Sequence, residues 1–178
     1  PDYQPGHAHA DTFSFELYIN GRPVIVDTGT STYVVNNTRF YERSTAAHNT
    51  VVVCGQNSSQ VWAAHRVARR ARVQVFCDEE ERIVAVHDGY KRLGCLHTRK
   101  VEKVGKYIRI TDEVDREGTA YLHFMPKENV VLDGNRLLGS DYCIEFDGAR
   151  EIEPFTSMYA PEFNKREERR SFRISFDR

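Results

Sequence analysis

Hydrophobic and polar positions alternate most cleanly over residues 12–20, where Phe13, Phe15, Leu17 and Ile19 are separated by Ser14, Glu16 and Tyr18. A period of two predicts a strand with one buried face. The run ends at Asn20-Gly21, a pair that readily supplies positive φ at both centres of a type I′ hairpin turn. A returning strand is expected over residues 23–27, and Pro23 is tolerated there because the first residue of a strand can lack an N–H. Short β-rich runs follow at 51–54, 73–77, 83–87, 96–100, 107–112, 120–125, 130–132, 142–146, 156–159 and 172–176. Between them lie turn signals such as Asp88-Gly89, Glu117-Gly118, Asp133-Gly134 and Asp147-Gly148. Strands spaced by about 8–12 residues predict an all-β, antiparallel sandwich or barrel rather than βαβ units. No repeat, low-complexity tract or linker interrupts the pattern, so residues 1–178 are read as a single domain.

Three stretches depart from this monotony. Residues 28–43 form a connection well beyond the usual ~4–6 residues, and long ordered connections commonly carry binding groups. Residues 60–72 mix alanine with Arg66, Arg69, Arg70 and Arg72, a composition that does not separate helix from strand. Residues 164–170 mix both signs of charge and are expected to form a solvated loop before the last strand.

Composition narrows the picture further. A chain of 178 residues buries roughly 70% of its unfolded surface, so neither metal nor disulfide is needed for folding. The formal charge of −1 argues against a surface devoted to nucleic acid, and any polyanion must be held by a local basic patch. Cys54, Cys77, Cys95 and Cys143 show no paired spacing and are read as free thiols. No apolar run approaches the ~20 residues of a membrane span. The chain opens at Pro1 with no signal-like segment, and it is read as the C-terminal part of a longer protein of open compartment, periplasmic, secreted or cytoplasmic.

The candidate chemistry begins with His7 and His9. At spacing i, i+2 on extended backbone, two imidazoles share one side. The hairpin is expected to return Asp27 to their neighbourhood, and His48 sits at the entrance of another strand. Two imidazoles and a carboxylate (His9, Asp27, His48) suit a divalent ion such as Zn²⁺ with a fourth position left open. The plainer alternative is two surface histidines, one buried histidine and a turn aspartate. His65, His87, His97 and His123 are read as ordinary half-buried residues.

Three blocks carry a more specific signal: Gly6-His7-Ala8-His9-Ala10-Asp11-Thr12-Phe13-Ser14-Phe15, then Arg22-Pro23-Val24-Ile25-Val26-Asp27-Thr28-Gly29-Thr30, then Arg43-Ser44-Thr45-Ala46-Ala47-His48-Asn49-Thr50-Val51. In this order they resemble the C-terminal β-domain of the heparinase II/III-like polysaccharide lyases. The resemblance is close over residues 6–53 and looser through Val61-Trp62, residues 66–71 and residues 159–163. It implies a large antiparallel β-sandwich that follows an N-terminal (α/α) toroid, absent from this chain. It also implies that His9, Asp27 and His48 bind a metal, usually zinc, and that His7 is an active-site histidine facing the cleft. The implied reaction is β-elimination on an acidic, uronate-containing polysaccharide. Tyr33, Tyr41 and Arg43 are candidates for contact with the sugar, with packing roles as the alternative. Since the toroid supplies further catalytic groups in that family, the chain by itself is expected to be inactive. Two rivals remain: a non-catalytic carbohydrate-binding or structural module, and a cupin-type metal oxygenase. The cupin pattern needs a glutamate three or four residues after the second histidine, whereas here Glu16 follows His9 by seven.

Overall fold

A computed structural model describes residues 6–177. Within them the chain is almost entirely β, arranged in several antiparallel sheets, and the one α-helix has six residues. The first hairpin joins β1 (Leu17–Ile19) to β2 (Arg22–Ile25) in the predicted register, with Ile19 opposite Arg22. Its turn residues Asn20 and Gly21 both have positive φ. β1 is much shorter than the alternation implied. The chain turns at residues 11–14, where Ser14 N–H donates to the Asp11 carbonyl and Phe13 adopts φ 68°. The two histidines therefore stand on an irregular approach to the strand, and the shared face expected of extended backbone is lost.

The next connection is not the plain loop expected. It contains α1 (Asn37–Glu42), whose first turn is closed by the Asn36 side chain accepting from Arg39 N–H. A 3-10 turn (Thr45–Ala47) then leads into β3 (Val51–Val53), which is wholly buried. The ambiguous arginine-rich stretch resolves as a small hairpin of β4 (Val61–Trp62) and β5 (Arg66–Val67).

A four-stranded meander follows: β6 (Val73–Glu79), β7 (Arg82–His87), β8 (His97–Val104) and β9 (Tyr107–Val114). β10 (Gly118–His123) leads to a three-stranded meander of β11 (Val131–Asp133), β12 (Arg136–Leu138) and β13 (Cys143–Glu145). The long strands β14 (Glu151–Tyr159) and β15 (Glu167–Phe176) complete a sheet of order β14-β15-β10-β3. β2 joins that sheet along the end of β10, through the bridge Ile25–Phe124 and the bond from Val26 N–H to the His123 carbonyl.

The main core lies between this sheet and the β11–β13 meander. Val24, Ile25, Leu122, Phe124, Phe172 and Ile174 meet Val130 and Leu137 there. Burial of this apolar surface, at about 25 cal/mol per Å², is the term that holds the two layers together. The predicted solvated tail is corrected: β15 begins at Glu167, and Arg169 is buried within it.

The β6–β9 sheet is fastened to the rest by polar groups. Arg99 makes two bonds to the Asp112 carboxylate (2.7 and 2.8 Å), and its Nη1 donates to the carbonyls of Phe13 and Asn49 (2.5 and 3.1 Å). Beside it runs a chain of histidines. Gly89 N–H donates to His87 Nδ1, so His87 carries its proton on Nε2 and donates to His97 Nδ1 at 2.9 Å. His97 Nε2–H then donates to Asp112 at 2.7 Å. Every ring nitrogen is thus assigned by its partner.

A second proton on His87 has nowhere to go, and burial, then the neighbouring His97, push its pKa down to about 3. Burial and Arg169 likewise hold His123 well below the usual histidine range. The unfolded chain therefore binds more protons than the folded one from about pH 6.5 downwards. Stability is expected to be full above pH 6.5 and to fall steadily on acidification, before the Asp112 carboxylate, held low by Arg99, begins to titrate. Urea titrations at pH 7.5, 6 and 5 check this, with a shallower slope expected for His87→Gln; an unfolding free energy that stays level from pH 7.5 to 5 contradicts it.

Candidate active site

The three sequence blocks meet where the turn at residues 6–11, the end of β2 and the 3-10 turn come together. Asn49 pins them: its Nδ2 donates to the carbonyls of Phe15 and Val26, its Oδ1 accepts from His123 N–H, and its own N–H donates to Ser14 Oγ. Asn49 itself is fully buried, so each bond removes a desolvation cost that its unpaired amide would carry.

His9, Asp27 and His48 are brought together. The His9 and His48 rings lie 5.2 Å apart, and His48 Nδ1 is 2.6 Å from Asp27 Oδ1. Asp27 Oδ2 accepts from Gly29 N–H. The bond to His48 and that from Gly29 hold the Asp27 carboxyl at about 2, against the opposing effect of burial, which is the largest single influence. It is ionised at neutral pH. His9 is pushed down to about 3, first by burial and then by His48 and Arg39, so it is neutral. With His48 Nδ1–H donating to Asp27, its Nε2 lone pair is left buried and without a partner.

His48 Nε2 is open to a metal, but Asp27 stands at Nδ1 on the other flank of the ring, where it orients the imidazole; to share an ion with Nε2 it must leave that bond. In donor type and charge the three residues fit a divalent ion. Among the described residues, however, no three His, Cys, Asp or Glu side chains stand as a formed metal cage. Besides the Asp27–His48 bond, Arg39 stands in the way, its Nη1 donating to His9 Nε2 at 3.1 Å. Metal held at that nitrogen must displace this hydrogen bond.

His7 diverges from His9. It is exposed, and its Nδ1 lies 2.9 Å from the hydroxyl of Tyr33. The Tyr33 ring sits between His65 (5.4 Å) and Phe163 (5.6 Å), with the Arg39 guanidinium 4.8 Å from its centre. His65 in turn contacts the Gly6 carbonyl at 3.1 Å. It was read as an ordinary residue, and no local signal marks it, because a hairpin 50 residues downstream brings it here.

The other two sugar-contact candidates are placed differently. Arg43 is 1% exposed, and all five of its N–H groups donate to backbone carbonyls, at Ala8 (twice), Trp62, Ala63 and Arg66. No donor remains for a substrate carboxylate, and Arg43 straps the β4–β5 hairpin to the histidine segment. The Tyr41 hydroxyl is buried without a partner, and burial raises its pKa. Arg169, missed by the sequence reading, supports the site from beneath: it donates to the carbonyls of Val26 (3.1 Å) and Asp27 (3.2 Å) and to Thr28 Oγ1 (2.6 Å). Thr28 passes its own proton to the Ala47 carbonyl, next to His48.

Comparison with known proteins gives a consistent set of similarities. The profile of the heparinase II/III-like C-terminal family matches residues 1–178. A heparin-sulfate lyase of Bacteroides stercoris is 30% identical over 133 residues, which is 70% of this chain and 19% of that protein. A heparin-sulfate lyase of Bacteroides thetaiotaomicron is 32% identical over 128 residues, 66% of this chain and 16% of that protein. The chain thus spans less than a fifth of the length of these relatives. Among solved structures, the heparan sulfate lyase HepC from Pedobacter heparinus superposes with a TM-score of 0.77 at 21% identity, covering 96% of this chain and 28% of that one. A second, the heparinase III-BT4657 gene product, superposes with a TM-score of 0.77 at 20% identity, covering 97% and 28%. At that identity the likeness is one of fold.

Proposed function

The chain belongs to the heparinase II/III-like C-terminal family, and on that premise we propose that it is the β-sandwich part of a lyase that cleaves a heparin- or heparan sulfate-type polysaccharide by β-elimination. The relatives named as heparin-sulfate lyases support this substrate class. The observation that carries the reading is an exposed imidazole, His7, oriented by the Tyr33 hydroxyl beside a buried cluster of two imidazoles and a carboxylate.

β-Elimination needs three things: the uronate charge must be neutralised, the C5 proton removed, and the departing glycosidic oxygen protonated. His7 carries an imidazole, a group suited to proton transfer; it is exposed and Tyr33 contacts its Nδ1 alone. Tyr33, backed by His65 and Phe163, offers an aromatic edge to a sugar ring. Arg39 adds fixed positive charge behind it, which favours a bound carboxylate. His9, Asp27 and His48 would hold a divalent ion, zinc by donor type, which when bound supplies fixed charge and braces the His7–His9 segment. The remaining catalytic groups and most of the sugar contacts belong to an N-terminal domain in this reading. The isolated chain is accordingly inactive.

The test is a panel of uronate polymers incubated with the full-length protein, following absorbance of the unsaturated product. Activity on heparin or heparan sulfate, with about one zinc per chain that His48→Ala removes, is the expected result. Activity on no member of the panel refutes the lyase reading, and full zinc retention in His48→Ala refutes the assigned ligands.

A further inference from the structure

An open trough of about 1180 Å³ lies along the β5–β6 connection and the 3-10 turn at Lys91–Leu93, and none of its lining residues belongs to the candidate active site. Among the described residues five cations line it, Arg69, Arg70, Arg72, Lys91 and Arg92, against one carboxylate, Asp88. The chain as a whole carries 25 basic and 26 acidic residues, so this concentration is a property of the place and not of the composition.

Several surface cations elsewhere are held in ion pairs: Arg22 with Glu128, Lys100 with Glu113, Lys103 with Glu81. In the trough, three cations are not. Arg69, Arg72 and Lys91 are exposed and have no carboxylate partner among the described residues. Asp88 does not neutralise them by contact, since its Oδ1 accepts from the backbone N–H of Arg72 at 2.7 Å. Arg92 is held in place by the carbonyls of Asn57 (2.9 Å) and Gly89 (3.4 Å), so its charge is pre-positioned and uncancelled. Like charges kept together at an open concavity raise the potential there and draw in a polyanion.

We propose that this trough binds the sulfate groups of an acidic polysaccharide, as an anchoring site apart from the catalytic cleft; the choice of ligand rests on the lyase reading given above. Arginine forks match the paired oxygens of sulfate. Among the described residues no aromatic side chain lines the trough, so none of them offers the stacking platform that single-stranded nucleic acid uses.

The experiment measures binding of the full-length protein to immobilised heparin as a function of salt. The trough variant is Arg69→Ala/Arg72→Ala/Lys91→Ala. The control, Arg82→Ala/Lys100→Ala/Lys103→Ala, removes the same charge from paired surface positions. Both are compared after circular dichroism shows that the fold is kept, and Arg69→Lys/Arg72→Lys provides a charge-conserving version expected to retain most of the binding. The trough variant is expected to bind at least tenfold more weakly at low salt and to lower the log–log salt slope by ~2–3, since each lost ionic contact removes just under one unit. The control is expected to change little. An unchanged affinity, an equal loss in both triple variants, or duplex DNA binding as tightly as heparin through the same residues each overturns the proposal. Heparin binding through the trough without cleavage of any uronate polymer overturns the lyase reading and leaves the trough standing.

Discussion

Replacing Arg169 by alanine is expected to cost about 3–4 kcal/mol of folding stability, a lowering of the melting temperature by about 10 °C for a chain of this size. Arg169 is 3% exposed and sits on β15 beneath the site. Its guanidinium donates to Ser157 Oγ, to the carbonyls of Val26 and Asp27 and to Thr28 Oγ1. Burial lowers its pKa only to about 10, so it remains charged at neutral pH. Two effects oppose each other on truncation. Removing a buried charge that has no direct carboxylate partner relieves a desolvation penalty. Against this, the Asp27 carbonyl loses its donor, Thr28 and Ser157 lose theirs, and a cavity of guanidinium size opens. Each stranded acceptor costs about 1–3 kcal/mol; Val26 keeps a second donor in Asn49 and Ser157 Oγ keeps its bond with Ser171 Oγ, so the Asp27 carbonyl and Thr28 Oγ1 bear the loss. The losses outnumber the relief. Denaturant titration of the wild type and Arg169→Ala decides the matter, and a difference below about 1 kcal/mol would show that β15 holds the site without this residue.

Replacing His7 by alanine in the full-length protein is expected to lower the rate of unsaturated-product formation by about 10²–10⁴-fold, the range usual for loss of a proton-transferring side chain. Because His7 is exposed and its ring bonds only through Nδ1 to Tyr33 among the described residues, the fold should tolerate the change. Zinc content should be unaffected, since His9, Asp27 and His48 are untouched. Tyr33→Phe separates orientation from chemistry. It keeps the ring between His65 and Phe163 and removes only the hydroxyl, so a smaller loss, about tenfold, is expected, with the substrate KM little changed. Activity of His7→Ala within threefold of wild type would instead make this chain a passive carbohydrate-binding or structural module.

Several of these features could be read along the chain because the physics that sets them is local. Asn20-Gly21 folds the first hairpin through its own backbone preference and sets the pairs Ile19–Arg22 and Tyr18–Pro23, after which an irregularity shifts Leu17 to face Ile25. The short apolar runs from residue 73 onward become strands because each is bounded by turn residues. The misreadings came where distant partners outvoted the local pattern. Phe13 looked like a strand residue, but its ring packs on His87 and His97 and its carbonyl is taken by Arg99, which forces a turn. Arg43 could be read as a sugar contact or a packing residue and Arg169 as part of a solvated loop, because nothing in their neighbours reveals that backbone carbonyls from other segments will consume their donors. His65 reached the site only because the β4–β5 hairpin is strapped down by Arg43.

Taken alone, the order of residues determined an antiparallel β-chain, its first hairpin, and a set of imidazoles and carboxylates with the wording of a lyase domain, since alternation and turn chemistry act over a few residues. Tertiary structure alone decided which of those groups meet. It set His7 facing outward on Tyr33 while His9 turned in to His48 and Arg39, hid Arg43 and Arg169 as supports, and left five cations around one trough. The reason is that a charged side chain's fate depends on how many acceptors the folded backbone brings within reach, and those acceptors come from strands far away in sequence.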